Sequence, residues 1–292
     1  MLEDIGKLTS GTGEVLLKMW RVQVDPGRRV LRQHSHTQFE IACIEHGNGS
    51  YTTANSIHPM EQGDMFVFAS NESHCITEAG KDGLVLVNLH FEPRYLLEDH
   101  ADAFSVSHAG LCFAHADSFE NRIPSTRAQK MRNYFSVIAS ELSDRKTEYA
   151  LSVRSTLNLL LIDLIRSHGY EANNTDSIFQ SKILVIVKAM TYIEAHLSEP
   201  LSLTEIAQVV GMSANYFSSL FHKVCNMSLW DYLTAKRVEK AIQMICVDPE
   251  KTMIEIALSC GFNNTANFNK AFKKQTGVTP SYYRSNKEQM LA

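Results

Sequence analysis

His34 and His36, one residue apart, with Glu40 four positions beyond and His74 further along, are residue types that bind metals and hydrogen-bond ligands. On one extended strand His34, His36 and Glu40 share parity and face the same way, because side chains alternate along a strand. Joined by His74 from a second strand, they make a three-imidazole, one-carboxylate set suited to a divalent first-row transition metal. The same groups can instead contact a small ligand directly, or be hydrogen-bonded core. Arg32, His90 and Trp20 are weaker candidates for the lining of the same pocket. A second set lies toward the other end of the chain: Asn215, Tyr216, Ser218, Ser219 and His222, then Thr265, Asn267, Asn269, Lys270 and Lys273. Amide, hydroxyl and ammonium groups of this kind meet base edges and phosphates in the major groove. No residue is assigned a catalytic role, and the chain is not expected to be an enzyme.

Positioning the first set calls for strands. VLLKMWRVQV (15–24), QFEIACIEH (38–46), SYTTANSIHPM (50–60), DMFVFA (64–69) and LVLVNLHF (84–91) are short and rich in Val, Phe and Tyr, and PG, GNG, QGD and KDG turn signals punctuate them. Short strands at close spacing predict a barrel or sandwich over about residues 12–92. From about Ser125 the period becomes helical, with Met131, Phe135, Ile138 and Leu142 on one face and an apolar stretch from Leu157 to Ile165. Two helices over about 126–168 are expected to pack on the barrel or on a second subunit, and the face Leu157, Leu160, Leu161, Leu164 permits dimerisation. The polar run GYEANNTDSIFQ predicts a linker at 169–181, between a sensing and dimerisation domain (1–168) and a helical domain (182–288). The fold class is α+β and multidomain.

The second set sits on an internal repeat. Residues 202–233 recur as residues 252–284: Glu205-Ile206-Ala207 matches Glu255-Ile256-Ala257, and Gly211 matches Gly261. After one extra residue, Phe217, Phe221, Lys223 and Tyr232 match Phe268, Phe272, Lys274 and Tyr283. Ser202 with Glu205, and Thr252 with Glu255, have the spacing of a capping box that starts a short helix, which Gly211 or Gly261 ends. Second helices follow, beginning near Ser213 and Asn264. Phe217, Leu220, Phe221 and Val224 form the expected inner face of one; Phe268, Ala271, Phe272 and Gln275 form that of the other. Helix, glycine-containing turn, helix is a DNA-reading unit. Between the two copies, residues 229–247 read as one helix capped by Ser228 and stopped by Asp248-Pro249. Its length of roughly 28 Å can hold two reading helices about one DNA turn apart, approximately 34 Å. Lys236, Arg237 and Lys240 on it are candidates for phosphate neutralisation.

Taken together, LSLTEIA, GMS, YF and LF, then EIA, CGF and AFKKQTGVTPSYYR, resemble the DNA-binding domain of the AraC/XylS family of bacterial regulators over roughly residues 183–286. The ending Gly277 to Arg284 agrees with the family signature almost throughout. Asn226 stands where the first repeat of the family usually has Gly, and the outer face of the first reading helix carries no Arg or Lys. Gly27, His34, His36, Glu40 and Gly47, followed by Gly63, Asp64 and His74, resemble the two motifs of the cupin barrel, with Ala69 and Asn71 in place of the usual Pro and Gly. The resemblance implies a sequence-specific transcription activator with a cupin-like N-terminal β-barrel that takes a small molecule such as a sugar or oligosaccharide. Double-stranded DNA, RNA polymerase and a second copy of the chain, as a homodimer, are the implied macromolecular partners. The barrel is a candidate site for a divalent transition metal. Rival readings are a regulator without a small-molecule ligand, and a metal-dependent cupin enzyme carrying a DNA-binding tail.

Composition fits this picture. Hydrophobic residues at 44% and charged residues at 21% are ordinary for a globular protein. No stretch approaches the roughly 18 apolar residues of a membrane span, and MLEDIGKLTSGTGE lacks the features of a secretory signal, so a cytoplasmic protein without membrane contact is expected. From residue 181 onward there are 12 Lys and Arg against 9 Asp and Glu, and before it 16 against 23. A mildly basic tail on an acidic body suits a DNA reader. The six scattered cysteines form no CxxC pair and are expected to be buried thiols.

Overall fold

A computed structural model describes residues 2–11, 13–27, 34–53, 56–96, 112–113, 115, 119–170, 177–248 and 250–286. The chain divides into two compact units, Met1–Ser181 and Lys182–Leu291. Among the described residues no helix is long and apolar enough to cross a membrane.

In the first unit β1 (Leu2–Thr9), β2 (Val15–Val24), β3 (Phe39–Thr53), β4 (Ile57–Met60), β5 (Met65–Phe68), β6 (His74–Phe91) and β7 (Arg122–Ile123) form one antiparallel sheet. The order is β1-β2-β6-β3-β5-β7, with β4 paired to the second half of β3. The strands expected at 15–24 and 64–69 are realised as β2 and β5. β3 and β6 are longer than expected, because GNG and KDG, which look like turns, lie inside them. The pair carries register shifts between Ile44 and His46, Gly47 and Gly49, and Ser50 and Tyr51. Gly47 and Gly83 have φ of +84° and +78°, and a Cβ on Gly47 would run into the Gly83 carbonyl oxygen. These glycines let two paired strands bend together without ending. β1 lies outside the expected strands: Glu3, Asp4 and Lys7 blur its alternation, as suits an edge strand.

Bending gives the sheet two apolar faces. Leu17, Met19, Ile41, Met65, Val67 and Leu89 point outward and pack against helices α1 (Gln129–Asp144) and α2 (Tyr149–His168). Alternate residues, among them Val22, Ala42, Ile44, Phe66 and Leu86, close a second core inside the bend. This bent sheet with flanking helices is the form taken by the expected cupin-like barrel.

The helical period is realised residue by residue, since Met131, Phe135, Ile138 and Leu142 are the buried positions of α1. The face Leu157, Leu160, Leu161 and Leu164, expected to permit dimerisation, is instead fully buried in the unit's own core. A helix that closes a sheet spends its widest apolar stripe there. Leu161→Ala is therefore expected to cost about 2–5 kcal/mol in urea unfolding of the full chain. Leu159→Ala, on the exposed side, should stay within about 0.5 kcal/mol. Equal, small losses at both would contradict this packing.

The stretch expected as linker belongs to secondary structure or core at both ends. Gly169 caps α2 with φ +67°, and Tyr170 is fully buried against Phe39 and Phe119. At the other end Ser177 opens α3 (Ser177–Ala195), because the helical period of KILVIVKAM extends back to it. Residues 171–176 lie outside the described residues. The second unit continues with α4 (Leu203–Val209), α5 (Ala214–Cys225), α6 (Leu229–Val247), α7 (Met253–Ser259), α8 (Thr265–Thr276) and α9 (Pro280–Ser285). α6 is the expected connecting helix. The Ser228 side chain accepts from the Asp231 backbone N–H at its start, and α6 packs on α5 and on α7 and α8. Pro249 lies outside the described residues.

Candidate DNA interface and effector site

Each repeat folds as helix, turn, helix for reasons local to its sequence. At α7, Thr252 accepts from the Glu255 backbone N–H while the Glu255 carboxylate accepts from that of Thr252 at 2.8 Å, a complete capping box. At α4 only half the box forms: Ser202 accepts from the Glu205 N–H, but the Glu205 carboxylate accepts from the Tyr192 hydroxyl at 2.8 Å. Gly211 and Gly261 end these helices at φ +69° and +83°, and Asn226 takes the left-handed position after α5 at φ +51°.

The second helices expose the polar faces expected of them. Phe217, Leu220, Phe221 and Val224 of α5 are buried, and Asn215, Tyr216, Ser218, Ser219 and His222 are exposed. The Ser219 hydroxyl donates to the Asn215 carbonyl at 3.1 Å. On α8, Phe268 and Phe272 are buried, while Asn267, Asn269, Lys270 and Lys273 are exposed and Thr265 is half-buried. Gln275, expected on the inner face, is exposed: Tyr283 of α9 covers Phe272 instead, and an amide gains nothing from burial. Among the described residues Lys270 and Lys273 make no ion pair, whereas Lys274 reaches Asp231 at 3.4 Å.

The cations of α6 do not join this surface. Lys236 is buried, 3.1 Å from Glu239 and 4.0 Å from Glu194. Arg237 donates to the Leu197 and Glu199 carbonyls, both at 2.9 Å, and Lys240 donates to the Ser198 hydroxyl. Arg237 and Lys240 thus hold α6 to the segment after α3, and Lys236 is paired with Glu194 of α3 and Glu239 of α6, so the expectation that they neutralise phosphates is corrected to a structural role.

Inside the bend of the first unit, the carboxylate of Glu40 is buried beneath three imidazoles. His36 Nε2 lies 2.7 Å, His90 Nε2 2.8 Å and His74 Nε2 3.1 Å from the same oxygen, Oε2. Register explains His90, because Glu40 of β3 stands directly opposite it on β6. His74 enters from the start of β6, and its ring stacks on Phe68 at 4.1 Å. Trp20 meets His90 edge-on at 4.5 Å. His34 is bridged to His74 through backbone bonds of 3.1 and 3.0 Å, outside β3, and its ring sits at the exposed rim. Arg32 lies outside the described residues. His34, His36, Glu40, His74 and His90 are thus brought together. Phe68, whose ring stacks on His74, is not among the residues singled out from the sequence, because only the fold brings the two rings together.

Tautomers follow from the second ring nitrogens. His36 Nδ1 is 3.0 Å from the Gln38 carbonyl and His74 Nδ1 is 3.0 Å from the Glu72 carbonyl. A carbonyl only accepts, so each Nδ1 carries its proton and each Nε2 faces the carboxylate. His74 Nε2 is fully buried and, off the hydrogen-bonding direction to Glu40, has no hydrogen-bond partner. Burial alone would raise the Glu40 pKa, but the His74 and His90 charges and the His36 hydrogen bond outweigh it and hold the carboxyl well below its usual range. Burial, reinforced by neighbouring His36, pushes His90 down to about 4. At His74 burial pulls the same way, but Glu40 prevails and the net shift is upward.

Residues 22–164 match the AraC-like ligand binding domain, and residues 206–286 match a helix-turn-helix domain. The TetD protein of transposon Tn10 from Escherichia coli is 39% identical over 103 residues, 35% of this chain and 74% of TetD. The HTH-type transcriptional activator RhaR of Shigella dysenteriae is 24% identical over 260 residues, 87% of each chain. Longer Staphylococcus aureus regulators are matched over 31% of their length, so the chain spans about a third of them. The crystal structure of ToxT from Vibrio cholerae superposes with a TM-score of 0.60 at 10% identity, over 94% of this chain and 98% of ToxT, a likeness of fold. With two helix-turn-helix units in one domain and an AraC-like ligand-binding domain before it, the chain belongs to the AraC family of DNA-binding transcription regulators.

Proposed function

We propose that this regulator is an activator whose effector, a sugar or oligosaccharide, binds inside the bent sheet at Glu40 and alters how α5 and α8 engage DNA. The observation that carries the effector site is the buried Glu40 carboxylate with His36, His74 and His90 around it, a few polar groups converging in an apolar and aromatic enclosure. Activation is supported by the activator RhaR, similar over 87% of both chains. A second copy of the chain and RNA polymerase complete the proposed partners. A thermal-shift screen of neutral mono- and oligosaccharides tests the effector: at least one should raise the Tm of the wild type and not of Glu40→Gln. If none does, or if Glu40→Gln responds equally, the reading fails.

Asn215, Tyr216, Ser218, Ser219 and His222 on α5, and Thr265, Asn267, Asn269, Lys270 and Lys273 on α8, are the proposed DNA contacts. The unpaired ammonium groups of Lys270 and Lys273 should each release about one counterion on binding phosphate. In mobility shifts the double variant Lys270→Ala/Lys273→Ala should therefore flatten the plot of log affinity against log salt by about 2. An unchanged slope would contradict their role.

One observation favours a metal-assisted version. The buried, unpartnered His74 Nε2, with Nδ1 protons of His36 and His74 committed to carbonyls, is the donor arrangement a divalent first-row metal requires. The ligand atoms of His34, His36 and His74, and those of His36, Glu40 and His90, lie within 4.8 Å of one another, so the residues present fit such an ion. A bound metal would supply a Lewis acid for ligand hydroxyls. Elemental analysis of untagged protein should find a transition metal that His74→Ala loses; metal content equal in both would exclude this version.

A further inference from the structure

The inner face of the bent sheet holds a buried acceptor that the Glu40 cluster does not use. Strand register sets the side chains of this face in rows. In one row His90 of β6 stands opposite Glu40 of β3, and Glu40 stands opposite Phe68 of β5. In the next, Asn88 of β6 stands between Trp20 of β2 and Ala42 of β3, and Ala42 stands opposite Phe66 of β5. Residues two apart on a strand share a face, so Asn88 points into the same bend as His90. The row after that, Val22, Leu86 and Ile44, is buried apolar core and bounds the space on that side.

Oδ1 of Asn88 is buried and has no hydrogen-bond partner among the described residues. An acceptor buried without a donor destabilises a fold, and native interiors hold few of them. Asn88 as a whole is half-buried, as are Trp20 and His90 beside it, whereas Ala42, Tyr51, Phe66 and Phe68 are buried. The bend is thus open where the amide, the indole and the imidazole meet, and the amide oxygen is turned inward from that opening. Ala42, with a single methyl group, leaves the amide uncovered from the β3 side.

We propose that Asn88 is a specificity-determining residue of the effector site, where its amide oxygen accepts a hydrogen bond from a donor at the edge of the effector remote from Glu40. This rests on the assignment of the Glu40 cluster as the effector site and sharpens the chemistry of the effector. Residues two apart on a strand are separated by roughly 7 Å, which is the span of one pyranose ring with its substituents. Trp20 offers such a ring an apolar face. An amide oxygen only accepts, so the remote edge of the ring carries a hydroxyl or N–H there; a deoxy sugar lacking that group leaves the acceptor unpaired.

Thermal shift and calorimetric titration of the full chain test this, with aldohexoses, aldopentoses and their monodeoxy derivatives as probes. Without sugar, Asn88→Leu should raise the Tm, because an apolar group of similar size replaces an unpaired acceptor. For a sugar that binds the wild type, Asn88→Leu and Asn88→Ala should each weaken binding about tenfold or more. One monodeoxy derivative should bind the wild type as weakly, and lose nothing further in Asn88→Leu. If no sugar binds the wild type, the effector assignment and this proposal fall together. Binding that is lost in Glu40→Gln yet kept in full by both Asn88 variants would overturn this proposal alone. A lower Tm for Asn88→Leu without sugar would overturn it as well, by marking the amide as part of the fold's own hydrogen bonding.

Discussion

Gly261→Ala is expected to destabilise the second unit severely, while Gly211→Ala, the same change at the matching position of the first repeat, costs little. Both glycines have positive φ, so each alanine pays about 1–2 kcal/mol for a left-handed backbone. Around Gly211 nothing lies within 4 Å of an added Cβ, and the backbone penalty is the whole effect. At Gly261 the methyl would run into the Leu197 carbonyl oxygen and lie 2.9 Å from two nitrogens of the Arg237 guanidinium. That guanidinium holds the Leu197 and Glu199 carbonyls, and displacing it leaves charge-assisted hydrogen bonds of about 1.5–3 kcal/mol each unmade. The total for Gly261→Ala is about 4 kcal/mol or more. Trp230, the tryptophan of the second unit, reports its urea unfolding by fluorescence. Equal midpoints for the two variants would show that the turns are interchangeable, against this packing.

Acid is expected to loosen the first unit between about pH 6.5 and 4 through His90. Its pKa falls from 6.5 to about 4 on folding, so in that window the unfolded chain binds a proton that the folded chain does not. The stabilisation is present above pH 6.5 and is lost as pH falls toward 4, by up to about 3 kcal/mol. Glu40, held well below its usual range, stays ionised through the window. His74 runs the other way: its raised pKa contributes stability that is present below pH 6.5 and lost as pH rises through the folded value. His58 and His168, both lowered chiefly by burial, add to the acid sensitivity. In chelator-treated protein, urea midpoints at pH 7, 5.5 and 4.5 should fall for the wild type and fall less for His90→Gln. Parallel decline in both would remove His90 as the cause.

The DNA-binding half was legible because its determinants are local. Capping residues, the two turn glycines and the Phe217/Phe221 and Phe268/Phe272 spacings act within a few positions of one another, and the repeat presents them twice. Charge was less informative: Lys236 and Lys270 look alike in sequence, yet one is buried between carboxylates and the other is exposed and makes no ion pair among the described residues. In the first unit His36 does meet Glu40, but β3 begins only at Phe39, so the shared strand expected for His34, His36 and Glu40 is not formed and the loop before β3 places His36 instead; the place of His90 depends on the pairing of β3 with β6, fifty residues apart. Gly47 and Gly83 carry turn chemistry and serve instead as a bend in paired strands, a distinction set by the partner strand. The buried face of α2 was visible as apolar, whereas the choice between its own sheet and a second subunit was a matter of tertiary packing.

The most direct measurement is selection of binding sites from random DNA duplexes by the full-length protein, repeated with outer-face variants of each reading helix. Two helix-turn-helix units joined by the 19-residue α6 should enrich two sequence blocks about one helical turn apart on one face of the duplex. Asn267→Ala with Lys270→Ala should erase one block, and Asn215→Ala with Ser218→Ala the other. Enrichment of no sequence, or of a pattern that both variants leave intact, would contradict the assignment of α5 and α8 as the readers.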